Sequence, residues 1–169
     1  MIIFKLLIFF FLLCEKSFSN EEAVLDTSKI DTLKVNQDLE YLPDEFLKDL
    51  DNKKVNMYDL LDARPALISF WFLACEPCKK EMKYLDEFNK KYADTGFQVI
   101  SINTDGSRAL SSVEPFVKSK KYSFEVLSDP RSKYQRKLKG ASCPFTVMVD
   151  HRGVITSRHV GYNAGDEKK

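Results

Sequence analysis

Four short, mostly apolar runs and one amphipathic stripe set the layout of this chain. Residues 66–72 (ALISFWF) have the length and character of a buried central strand. Residues 97–103 (FQVISIN) predict a second strand, ending in Thr104-Asp105-Gly106. Residues 145–149 (FTVMV) and 154–160 predict a third and a fourth, joined by the turn sequence Asp150-His151-Arg152-Gly153 and therefore antiparallel. Between the first two strands, Cys78, Glu81 (with Met82), Leu85, Phe88 and Tyr92 recur at three- and four-residue spacing, which predicts a helix over 77–93. Pro77 suits its first turn, where the missing N–H costs nothing, and Gly96 ends it. Strand, helix, strand in succession predicts a right-handed parallel crossover. A second helix is expected over 111–118, with Pro115 in its early part, and 46–58 predicts a small hairpin turning at Asp51-Asn52. The sum is an α/β fold, a mixed sheet with helices on its faces and no internal repeat.

The first nineteen residues do not belong to that layout. Lys5 gives a positive start, 6–13 is unbroken apolar sequence, and Ser17 and Ser19 stand at the −3 and −1 positions of a signal peptidase site. The apolar stretch is short for a transmembrane helix, which needs about 20 residues. Residues 1–19 are therefore expected to be a signal peptide cleaved after Ser19, with an uncleaved anchor as the alternative. Cys14 does not make a lipoprotein site, because Leu13 stands where a small residue is required. Residues 20–40 read as a polar spacer, and 41–169 as the single domain, opened by Tyr41-Leu42-Pro43. Export would place that domain in an oxidising compartment.

Composition narrows the function. Charged residues are 30% and hydrophobic ones 44% of 169, ordinary for a globular chain. Lys and Arg number 26 against 25 Asp and Glu, so no basic excess points to nucleic acid. Four Cys are too few for a disulfide-stapled miniprotein of this length.

Two of those cysteines carry the chemistry. The junction of the first strand with the helix reads Phe70-Trp71-Phe72-Leu73-Ala74-Cys75-Glu76-Pro77-Cys78-Lys79-Lys80-Glu81. C-x-x-C at a strand–helix junction of an exported chain is a redox signature. The helix start holds the two sulfurs close enough to bond, and its free N–H groups and dipole stabilise a thiolate at the first. Cys75, at the exposed cap, is the expected nucleophile; Cys78, one turn in, is expected to resolve the mixed disulfide. A structural disulfide or half of a metal site are the alternatives, but no second Cys/His pair stands at metal-ligand spacing. The dithiol needs no organic cofactor and no metal.

Glu81 falls on the apolar stripe, one turn from Cys78 and turned toward the sheet. Burial there would raise its pKa toward neutrality and fit it to exchange a proton with Cys78. The alternative is a side chain bent out to water beside Lys80 or Tyr84. Glu76 and Glu81 both disfavour a thiolate nearby, while Lys79 and Lys80 are expected to be solvated, so the balance predicts a reducing couple. His151, His159 and the run 118–121 read as surface, and Trp71, Tyr84 and Tyr92 as core or surface-shelf aromatics.

Together these residues resemble the thioredoxin superfamily, and most closely its TlpA/ResA-type exported thiol–disulfide oxidoreductases, over roughly residues 41–163. The Phe-Trp ahead of the cysteines, the run from Cys75 to Glu81, and Pro144 before a strand ending at Asp150 carry the likeness. The resemblance implies a thioredoxin-like sheet with an N-terminal hairpin and a cis bond at Pro144, placed opposite the cysteine pair to shape a peptide-docking groove. It implies that Glu81 matches the active-site glutamate of ResA-like members, and that Ser69 stands where cytoplasmic thioredoxins carry a buried Asp. It further implies reduction of protein disulfides outside the cytoplasm, such as those of apocytochrome c during cytochrome c biogenesis. Electrons would come from a membrane thiol reductase of the DsbD/CcdA type.

Three departures from that pattern matter. Ala74 replaces the usual Trp, which should open the surface around Cys75. Cys143 precedes Pro144 and is a candidate third thiol, or, with Cys75 and Cys78, a three-sulfur copper grip; otherwise it is a small inert buried thiol. The family's final helix would follow Lys169, where the sequence given stops; the expectation is that the chain continues beyond it, and the alternative is that the arm before residue 41 or a partner covers that sheet face. A peroxidase of the peroxiredoxin type is a further alternative, weakened because no Thr is near Cys75 in sequence.

Overall fold

The computed structural model describes residues 39–163, Gly165 and Asp166. The expected signal peptide, Cys14 and all of the spacer before Leu39 lie outside the described residues. β1 (Phe46–Asp49) and β2 (Lys54–Asn56) form the expected antiparallel hairpin, with Leu47 opposite Val55. Its turn is held by Asp49, whose Oδ1 accepts the N–H groups of Asp51 and Lys53 at 2.9 and 2.8 Å. The second strand stops earlier than the pattern predicts. Asn56 accepts the N–H groups of Tyr58 and Asp59 and so caps a short helix, α1 (Met57–Leu61), where Tyr58 was expected in a strand.

β3 (Ala66–Trp71), α2 (Glu76–Tyr92) and β4 (Gln98–Asn103) form the parallel crossover. One 3-10 turn (Ala93–Thr95) separates α2 from Gly96, whose φ of 79° makes the C-cap that glycine favours. α3 (Leu110–Lys120) follows, then β5 (Glu125–Ser128) and α4 (Lys133–Lys137), neither of which was expected. Asp129 starts α4. Its buried carboxylate accepts the N–H groups of Lys133, Tyr134 and Gln135 at 2.8, 2.9 and 3.0 Å. β6 (Phe145–Val149) and β7 (Ile155–Val160) complete the sheet.

The seven strands run in the order β2-β1-β5-β4-β3-β6-β7. β3, β4 and β5 are parallel; β6 opposes β3, β7 opposes β6, and β1 opposes β5. This is the mixed, helix-flanked sheet the sequence predicts. Two apolar layers sandwich it. One joins Ile68, Phe70, Ile102 and Val147 to Met57, Leu61, Tyr134 and Leu138. The other joins Trp71, Val99 and Val126 to Cys78, Met82, Leu85 and Val113, so the cysteine pair is part of a core layer. Among the described residues no α-helix follows β7. On the α2 side of the sheet a groove of about 660 Å³ lies between Leu67 and Met148 on the strands and Leu85 and Phe88 on α2.

Gly140 precedes the loop into β6. A Cβ there would run into the ring of Phe145, itself 1% exposed, and come within 2.9 Å of Gln135 Cγ. Neither neighbour has room to move, so Gly140→Ala is expected to destabilise the fold by about 1–3 kcal/mol, read as a lower urea midpoint at unchanged m-value.

Candidate active site

Cys75 leaves β3 through a tight turn, its N–H donating to Phe72 O at 3.0 Å, and becomes the N-cap of α2. Its Sγ accepts the N–H of Cys78 at 3.2 Å, and Pro77 occupies the first turn. A free amide of the helix's first turn is thus aimed at the first sulfur, as thiolate stabilisation requires. Cys75 and Cys78 form a disulfide with Cα atoms 5.3 Å apart.

One expectation fails here. Cys75 is 5% exposed and Cys78 0%, so the cap is not open in the oxidised state, despite Ala74 standing exposed beside it. The cover comes from the core layer around the disulfide, in which Phe116 of α3 packs against Trp71 with ring centroids 5.6 Å apart.

Charge around the pair also differs from the sequence reading. Lys79 is not a free solvated cation. Its Nζ sits 2.7 Å from Glu76 Oε1, and it holds the Glu76 carboxyl below its ordinary range. The two charges largely cancel beside Cys75, which leaves Glu81 as the acidic group that matters.

Glu81 is 7% exposed and accepts from Ser69 Oγ at 3.2 Å, rather than bending out beside Lys80 or Tyr84. Burial pushes its pKa from 4.5 to about 7; the Ser69 hydrogen bond opposes that rise, and the Asp166 carboxylate adds to it. The β3 hydroxyl and the buried α2 carboxylate meet because both lie on facing surfaces of the crossover.

The Cys143–Pro144 peptide is cis and leads into β6. Cys143 is a free, half-buried thiol packed against both core layers, including the one that holds the cysteine pair. Its Sγ accepts from Gln135 Nε2 at 3.5 Å and lies 3.8 Å from Thr104 Oγ1. Burial raises its pKa. Among the described residues no group of three His, Cys, Asp or Glu side chains could hold a metal ion, and two of the three candidate sulfurs are tied in the disulfide; a copper grip is not favoured.

Sequence reasoning missed the residues that fix the turn ahead of Cys75. Asp105 Oδ2 accepts both Leu73 N–H and Asn103 Nδ2 at 2.7 Å, while the amide and hydroxyl of Thr104 donate to Trp71 O at 2.8 and 3.1 Å. The signal was the Thr104-Asp105-Gly106 that ends β4, since a parallel crossover brings the ends of β3 and β4 side by side.

The sequence matches the Redoxin family over residues 28–169. It is 29% identical to the thiol-disulfide oxidoreductase ResA of Bacillus cereus (strain ZK / E33L), over 70% of this chain and 67% of that one. It is 30% identical to the thioredoxin-like protein YneN of Bacillus subtilis (strain 168), over 74% and 72%. Among solved structures, a protein described as a thiol:disulfide interchange protein DsbE from Chlorobium tepidum superposes with a TM-score of 0.70 at 24% identity, covering 77% of this chain and 89% of that one. A thioredoxin-like protein from Porphyromonas gingivalis superposes with a TM-score of 0.65 at 30% identity, covering 75% and 84%.

Proposed function

The chain belongs to the Redoxin family as a ResA/TlpA-type thiol–disulfide oxidoreductase of the thioredoxin superfamily, and from that premise we propose that it reduces protein disulfides with Cys75 as nucleophile. The Cys75 thiolate attacks one sulfur of a substrate disulfide and displaces the other as a thiolate. Cys78 gives its proton to Glu81 and attacks Cys75 Sγ, which closes the Cys75–Cys78 bond and frees the second substrate thiolate. Pro144, joined to Cys143 by a cis bond, shapes the groove that receives the substrate segment. The observation that carries this reading is the Cys75–Cys78 disulfide at the helix cap, with an amide aimed at the first sulfur.

The substrates are disulfide-bearing proteins outside the cytoplasm, apocytochrome c-like chains among them, after export directed by residues 1–19. A membrane thiol reductase of the DsbD/CcdA type returns the dithiol to its reduced form. Among the described residues no helix is long and apolar enough to cross a membrane. Cys143 belongs to packing in this reading.

Equilibration of the Cys75–Cys78 pair against glutathione or dithiothreitol buffers tests the proposal. The expected potential lies on the reducing side of about −230 mV and does not move in Cys143→Ala. An oxidising potential would overturn the reductase reading, and a shift in Cys143→Ala would make the site a three-thiol device.

A further inference from the structure

Residues directly opposite each other on neighbouring strands share a face of the sheet. Ser69 stands opposite Ser101 on β4 and Thr146 on β6, and Thr146 stands opposite His159 on β7. The four make one polar row across four strands. Ser69 Oγ donates to Glu81 of α2, so the row lies on the face that α2 covers. Along it exposure rises from nothing at Ser101 and Ser69, through 9% at Thr146, to 56% at the His159 side chain. Glu81, Thr146, His159 and Asp166 line the same groove, whose remaining walls are largely aromatic and aliphatic. At its outer end Asp166 Oδ2 lies 3.8 Å from His159 Nε2.

We infer that the Ser69–Thr146–His159 row, with Asp166 beside its outer end, is the path by which protons pass between buried Glu81 and solvent. This rests on the proposed role of Glu81 as proton partner of Cys78. During resolution the Cys78 S–H bond breaks and its proton moves to the Glu81 carboxylate. The Cys78 thiolate forms the bond to Cys75, the mixed disulfide breaks, and the departing substrate thiolate takes a proton from water. Two electrons have passed to the substrate, and one proton remains on Glu81. That proton must leave before the next cycle, and apart from Thr95 and three tyrosines the groove's other walls are apolar. A hydroxyl accepts and donates at one oxygen, and an imidazole does so through its two nitrogens. The row therefore conducts in either direction, outward after resolution and inward when the dithiol is restored. The other groups around Glu81 are Cys78 and Tyr84 on its own helix, Tyr162 and Asp166 beyond β7, and Cys143 before β6.

The test measures the Cys78-dependent release of product from a model peptide disulfide by the reduced full chain in dilute buffer. His159→Ala is expected to slow it about fivefold, and millimolar imidazole to restore it in proportion to concentration. The alkylation rate of Cys75 should stay at the wild-type value. Thr146→Val breaks the row further in, so its loss should resist imidazole, with an unchanged melting temperature excluding misfolding. Wild-type rates in His159→Ala, or a loss that imidazole leaves in place, would overturn the path. Glu81→Gln separates the two levels. If it abolishes the pH dependence while His159→Ala is neutral, only the path fails; if it has no effect, the proton role of Glu81 fails and the path with it.

Discussion

Cys78→Ser is expected to trap this protein on its substrate as a one-to-one mixed disulfide, and Cys75→Ser to abolish turnover by about a thousandfold or more. The two sulfurs differ in their surroundings. Cys75 Sγ sits at the N-cap of α2 and accepts the Cys78 amide at 3.2 Å, so the helix stabilises negative charge there. Cys78 is 0% exposed and packs in the layer with Met82 and Val113, where a protein substrate does not reach it. A serine at 75 keeps the cap hydrogen bond but is far less nucleophilic at neutral pH. A serine at 78 leaves the first attack intact and removes the only step that releases the enzyme. Mass spectrometry of each variant after incubation with a disulfide-bearing peptide reads the outcome directly. A mixed disulfide on Cys78 in the Cys75→Ser chain would reverse the assignment.

Glu81→Gln is expected to do two opposite things. It should slow the resolving step by about a hundredfold near neutral pH, because the buried base is gone. It should also stabilise the oxidised fold in alkaline solution. Burial holds the Glu81 pKa at about 7, above its ordinary 4.5. The protonated form is therefore the one the fold prefers. Its contribution is present in full below pH 4.5 and is lost as pH rises through 7. A shift of that size corresponds to about 3 kcal/mol across the window. Gln is uncharged throughout and keeps an oxygen that accepts from Ser69, so the variant should lose this slope. Urea titrations at pH 5 and pH 8 on both chains check the stability, and single-turnover kinetics over the same range check the rate. A variant that unfolds with the same pH dependence as the parent would show that the carboxylate ionises freely.

Much of this site was legible because its signals are local. Cys75, Cys78 and Glu81 lie within two turns of one helix, and spacing alone puts the last two on the buried face. The strands at 66–71, 98–103 and 145–149 announced themselves because burial on both faces requires nearly continuous apolar sequence. What stayed hidden depends on distant partners. β5 has four residues, and α4 begins only because the Asp129 carboxylate collects three amides, a role invisible until the chain has turned. Asp105 meets Leu73 across 32 positions, and Phe116 reaches Trp71 from another helix. The hairpin strand ended early for the opposite reason: Asn56 is a strong local cap that the apolar pattern overshadowed.

The closed cover over the oxidised pair has a kinetic meaning. A thiolate opens a disulfide by approaching along the S–S axis, so the reagent needs a clear line to one sulfur. With Cys75 at 5% exposure that line is narrow, and the core layer around the pair, with Phe116 packed on Trp71 and with Lys79 and Lys120 over the Phe116 ring at 5.9 and 5.6 Å, is what a reductant must displace. A small thiol gains little from contact, so it parts that surface slowly. A docking protein gains enough, because its interface supplies free energy that can displace side chains. Burial thus sorts reductants by rate: small thiols reach equilibrium with the oxidised pair slowly, and a docking protein thiol reduces it faster.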